Sequence, residues 1–138
     1  MSRARCSQRP SAWTRVGISL THLRMMPLDD HHDAVRPKLA KVLPAFAAEV
    51  QEGLHADPEL SGQVAKLEIF GRCECGDSFC ATFYTARRPG GAYGPGHRNV
   101  VVDVKKGRVI LDVVDGRIAC VEVLHRGDVR RELAEACR

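Results

Sequence analysis

Hydrophobic residues change their spacing once along this chain, and that change limits what it can fold into. Leu39, Val42, Leu43, Phe46, Val50 and Leu54 recur at intervals of three and four, which lays one apolar stripe along a helix. From Val64 the interval becomes two. Leu67, Ile69 and Gly71 alternate with Glu68, Phe70 and Arg72, and Ala81, Phe83 and Thr85 alternate with Thr82 and Tyr84, as strands with two unlike faces require. These read as a hairpin, with the cysteine-marked segment 73–80 as its loop. Three more strands are expected at 100–104, 109–114 and 118–124, then a helix from about Asp128 with Val129, Leu133 and Ala136 on its apolar face. All strand connections but one are too short for a parallel crossover. The expected fold is α+β: an N-terminal helix, a five-stranded antiparallel meander sheet and a C-terminal helix, with the helices covering one face.

Proline, glycine and aspartate punctuate this pattern. Pro37 suits a first helical turn, whereas Pro44 lies inside the stripe and should kink or split the helix. Gly53 and Asp57-Pro58 end it, and Asp57 is placed to cap a second short helical turn that begins at Pro58. Asp115-Gly116 between two strands signals a tight hairpin turn. Asp128 is expected to cap the last helix. The stretch 89–96 is too rich in glycine and proline to be regular.

Charge separates a tail from a domain. Residues 1–25 carry five arginines and no acid, leaving 16 Lys/Arg against 17 Asp/Glu in the remainder. A domain that neutral lacks the electrostatic footprint of a nucleic-acid binder. Residues 1–25 are therefore expected to be a disordered basic tail outside the mature protein, with translation starting at Met25 or Met26, and residues 26–138 a single domain. An organelle transit peptide is the other reading of an Arg- and Ser-rich, acid-poor segment. Its longest apolar stretch, 16–20, is too short for a secretory signal. No apolar run approaches the roughly 18 residues that a membrane-spanning helix needs. A cytoplasmic protein is expected.

In a chain without a secretory signal, six cysteines read as thiols, not as a disulfide framework. Cys6 and Cys137 lie near the termini. Cys73, Cys75, Cys80 and Cys120 fall where a fold can organise them. The pattern C-x-C-G-x3-C from Cys73 to Cys80 suits zinc, which takes about four soft ligands in tetrahedral geometry. Gly76 can fold the backbone over an ion without Cβ strain. Cys73, Cys75 and Cys80 are the candidate ligands, with His97 as first choice for the fourth and Cys120 as second. One residue between Cys73 and Cys75 is shorter than zinc pairs usually show. Two other readings stand beside the metal: small buried packing residues, and a redox pair across the hairpin.

Other residues suggest weaker chemistry. Cys80 as a nucleophile with His97 as base, oriented by Asp103, would make a small cysteine enzyme. The 89–96 loop lacks the Gly-Lys-Ser/Thr ending of a phosphate loop. Tyr93, His97 and Arg98 at its end, together with Tyr84, form the best candidate ligand surface. The run Asp29-Asp30-His31-His32-Asp33 reads as a helix-capping region, since adjacent residues rarely point at one ion. An exposed edge strand offers a route to a homodimer.

The segments from Gly71 to Ala86, with Cys73-x-Cys75-Gly76-Asp77-x-Phe79-Cys80-Ala81-Thr82-Phe83-Tyr84-Thr85, and from Gly94 to Asn99, with Gly-Pro-Gly-His-Arg-Asn, resemble a group of small uncharacterised proteins from high-GC bacteria. Residues 111–118 and 121–124 share this resemblance, and are also similar to the closing strands of other small β-meander domains. It covers the chain from about Met26 and implies a bacterial cytoplasmic protein starting at Met25 or Met26. It brings no activity and no catalytic residues. The leading expectation is a binding or interaction domain clasped by its cysteine hairpin; the alternative is a cysteine-dependent enzyme or redox protein using Cys80 and His97.

Overall fold

A computed structural model describes residues 35–137. The basic tail, the Met25/Met26 start and the 29–33 run lie outside the described residues. Pro44 does split the expected N-terminal helix. α1 spans Leu39–Val42 and α2 spans Pro44–Gly53, with Leu43 as the junction between them. Proline supplies no amide to continue the first helix, and its fixed φ suits the first position of the second. Pro37 lies before α1 in an extended segment, where its carbonyl accepts from the Ile69 amide (2.9 Å). α3 spans Pro58–Val64, and Asp57 caps it as expected by accepting from the Leu60 amide (3.1 Å). Val64 closes this helix and does not open a strand: with Leu60 it continues the four-residue spacing, and both are buried.

Five antiparallel strands follow: β1 (Gly71–Arg72), β2 (Phe83–Tyr84), β3 (His97–Val102), β4 (Arg108–Val114) and β5 (Arg117–Leu124). Their order in the sheet is β1-β2-β5-β4-β3. The meander is thus confined to β3–β4–β5, and the β1–β2 hairpin attaches through β5. Phe83 pairs with Val121 and Tyr84 with Cys120. Asp115 and Gly116 both take positive φ (52° and 82°) between β4 and β5, the two-residue turn that matches strand twist. A bulge follows Asp112: Cys120 pairs with Asp112 and Ile118 with Val113, so Ala119 is extra.

The final helix, α4, spans Gly127–Ala136. Asp128 lies inside its first turn and is not its cap. It is drawn instead to Arg126, whose Nε and Nη2 donate to its carboxylate (both 3.1 Å). Arg126 is 5% exposed and also donates twice to Glu49 of α2 (both 3.1 Å), tying the end of β5 to that helix. Leu39, Leu43, Phe46, Val50, Leu60, Val64, Val129 and Leu133 from the helices join Phe83, Val109, Leu111, Val113, Val121 and Val123 from the sheet in one core. Cys137 packs against this core too, so the expectation that no fold organises it is corrected. Among the described residues, no helix is long and apolar enough to cross a membrane.

Candidate functional site

The cysteine segment forms the tip of the β1–β2 hairpin, and its anchors lie on β5 and α4. Beyond β1 the ladder continues once more, as the Cys73 amide donates to the Thr82 carbonyl (2.9 Å). The returning chain docks on β5: Ala81 donates to Val123 (2.8 Å), and Cys80 bridges Leu124. Phe79 is held twice, by the His125 amide on its carbonyl (2.8 Å) and by stacking on the His125 ring (centroids 5.3 Å apart). Arg130 of α4 donates to the Cys80 carbonyl (3.3 Å).

These anchors turn Cys73, Cys75 and Cys80 toward one point, with all three sulfurs within 4.8 Å of one another. Gly76 takes φ +85°, a conformation that side-chain-bearing residues rarely adopt. It lets the Asp77 amide turn back and donate to the Cys75 sulfur (3.5 Å). Cys80 is buried, while Cys73 and Cys75 are partly exposed. That exposure suits ligands at a hairpin tip better than packing residues.

Neither expected fourth ligand belongs to this cluster. Cys80 lies beside Leu124, which pairs with Arg108 at one end of β4; His97 on β3 pairs with Val114 at the other end. Sheet order also places two strands between β2 and β3. The nucleophile–base pair of Cys80 and His97 is therefore not assembled. His97 has a carboxylate partner, but it is Asp112, not Asp103. Cys120 sits in the middle of β5 between Tyr84 and Asp112. Burial above all, then the charge of Asp112, pushes its thiol well above the usual range, so it stays protonated.

The sheet face away from the helices carries a second cluster. Asp112, 7% exposed, accepts on one carboxylate oxygen from His97 Nε2 and Asn99 Nδ2 (both 2.7 Å). Tyr93, from the Gly/Pro-rich loop, packs on the His97 ring (centroids 4.8 Å apart). Burial and the nearby Cys120 and Asp112 push its hydroxyl well above its ordinary value. The expected surface of Tyr84, Tyr93, His97 and Arg98 is therefore divided. Tyr93 and His97 are in contact, and Tyr84 follows two strands along in the same cross-strand row as Asp112 and Cys120. Arg98 points to the opposite side, where its guanidinium lies 3.9 Å from Asp57. Adjacent strand residues face opposite ways, so His97 and Arg98 cannot line one surface. Asp112 and Asn99 were not singled out from sequence. The available signal was one aspartate inside the apolar run 109–114.

A cavity of about 650 Å³ lies where α3 meets the β4–β5 turn. Gln63 at its wall is already committed: it donates to the Gly116 carbonyl (2.7 Å) and accepts from the Ile118 amide (2.9 Å). It reads as a structural seam. Comparison of the chain with protein-family models, curated proteins and solved structures finds no match.

Proposed function

We propose that this is a small non-enzymatic binding domain whose cysteine hairpin is clasped by a structural zinc ion held by Cys73, Cys75 and Cys80. The observation that carries the reading is the convergence of three sulfurs within 4.8 Å, beside a glycine turn that aims an amide at one of them. Three thiolates leave one vertex of a tetrahedron for water or a group from outside this cluster. The ion would fix the hairpin loop, whose strands β1 and β2 are each two residues long. A bacterial cytoplasmic setting, as the resemblance implies, suits thiols kept reduced for metal.

Protein purified without an affinity tag and analysed for metal should carry about one zinc per chain. Cobalt substituted for zinc should show thiolate charge-transfer absorption, lost in Cys75→Ser. Zinc well below about 0.3 equivalents, with no uptake by reduced protein, ends the metal reading. A loss of two hydrogens on mild oxidation, in protein that takes up no metal, would make the hairpin a redox pair.

A further inference from the structure

A second cleft, of about 360 Å³, opens at the β1 edge of the sheet. Four arginines from three separate stretches of sequence line it: Arg36 before α1, Arg72 on β1, and Arg87 and Arg88 after β2. Glu74 is the one acid in the lining. Positive charge this dense stands out in a domain with almost no net charge outside its tail. Arg72 and Arg87 are exposed and have no ion-pair partner among the described residues. The Arg36 guanidinium carbon lies over the Phe70 ring, 3.9 Å from its centroid, and that of Arg88 lies over Tyr84 at 4.9 Å. Phe70 is 39% exposed, an apolar ring left at the rim of a charged cleft.

We propose that this cleft binds a nucleoside monophosphate, free or as one residue of a strand. The chemistry divides into two parts. Guanidinium forks match phosphate oxygens in a bidentate fashion and stay charged at any working pH. Arginine beside a partly exposed phenyl ring offers a surface on which a planar base can stack, as arginine and aromatic planes do in nucleotide sites. The volume is near the lower end for small-molecule sites and holds one nucleotide, not several. The near-neutral remainder of the domain lacks the long basic track that a polynucleotide binder needs. The site is separate from the proposed zinc, although Glu74 lies between two of the cysteines.

Calorimetric titration of the full chain with AMP, inorganic phosphate and adenosine tests the two parts together. AMP should bind at least about tenfold more tightly than either fragment, and more weakly as salt rises. Arg72→Glu with Arg87→Glu should abolish binding, Glu74→Gln should strengthen it by removing a repelling charge, and Arg131→Glu on α4 should leave it unchanged. A circular dichroism melt confirms that each variant is folded. No binding of AMP at millimolar concentration overturns the proposal, as does equal loss in the Arg131 variant. Phosphate binding as well as AMP would remove the base, and adenosine binding as well would remove the phosphate; either result overturns the nucleotide assignment. A single-stranded oligonucleotide binding no more tightly than AMP identifies a free nucleotide as the ligand, and much tighter binding identifies a strand. Because zinc content is measured on the same preparations, loss of one reading leaves the other standing.

Discussion

The two faces of one sheet are built from alternate residues of the same strands, yet they share almost no chemistry. Toward the helices, Val109, Leu111, Val113, Val121, Val123 and Phe83 form an aliphatic and aromatic layer, every one of them at most 1% exposed. On the other side, the neighbours of these residues are Asp112, Cys120, Tyr84, Asn99 and His97, and Tyr93 of the Gly/Pro-rich loop packs onto them. Apolar packing dominates one face, and the hydrogen-bonded cluster around Asp112 lies on the other. The β1–β2 hairpin at the sheet's edge has two short strands and gives Phe83 to the core. It carries the cysteines and borders the arginine cleft.

Adjacent residues give the sharpest test of this division. Leu111→Ala should cost about 2–5 kcal/mol in urea unfolding, the range for emptying a fully packed core site. The next residue outward should behave differently. Asp112→Ala takes the shared acceptor from His97, which is partly exposed, and from Asn99, which is exposed. Water can replace that acceptor, so the substitution should cost about 0.5–1.5 kcal/mol. It should also release the loop that Tyr93 holds on His97, seen as faster amide exchange at 90–96, whereas Leu111→Ala speeds exchange through the core strands. If both variants lose the same stability and expose the same amides, the two faces are not separable and the comparison fails.

Metal removal falls between these in size and separates the hairpin from both faces. If zinc is held, saturating it at about 100 times its dissociation constant adds about 2.7 kcal/mol to the stability of the bound form. A strong chelator should therefore lower the melting temperature by several degrees. The exposed amides should map to 73–80, with β4 and β5 unchanged in hydrogen exchange. Protection lost equally across β3–β5 would show that the clasp and the core form one unit.

How much of this was readable in sequence follows from how local each cause is. The apolar stripe, the Pro44 split, the Asp57 cap and the Asp115-Gly116 turn are decided within a few residues, and each appears as expected. Pairing partners are not local. β2 joins β5, 38 positions away between Phe83 and Val121, because the long 85–96 connection frees β3 to take the far edge. That choice separates His97 from Cys80 and removes the fourth ligand. The face assignment of Arg98 was available from alternation alone, since one step from His97 must reverse direction. The arginine cleft was not: Arg36, Arg72 and Arg87 are brought together only by the β1 edge meeting the segment before α1. Asp128 suits a cap by residue type, but its partner, Arg126, is set by burial against Phe46 and Glu49.

Asp128 supplies the smallest and most conditional effect. Its hydrogen bonds from Arg126 hold its carboxyl down to about 2, against about 3.9 for an unfolded aspartate. A lowered folded value means stability that is complete above about pH 4 and is lost as pH falls toward 2. The side chain is 44% exposed, so solvent screening limits the contribution to under about 1 kcal/mol. Asp128→Asn should therefore lower the urea midpoint slightly at pH 6, and the gap from the parent chain should close as pH approaches 2. The partner substitution, Arg126→Met, removes the same pairing and also leaves Glu49 without its bidentate donor, so its penalty at pH 6 must exceed that of Asp128→Asn. If the two penalties are equal, Arg126 acts only through Asp128, and the tie from β5 to α2 contributes nothing. A gap that persists at pH 2 would mean that Asp128 stabilises the start of α4 by packing and not by charge.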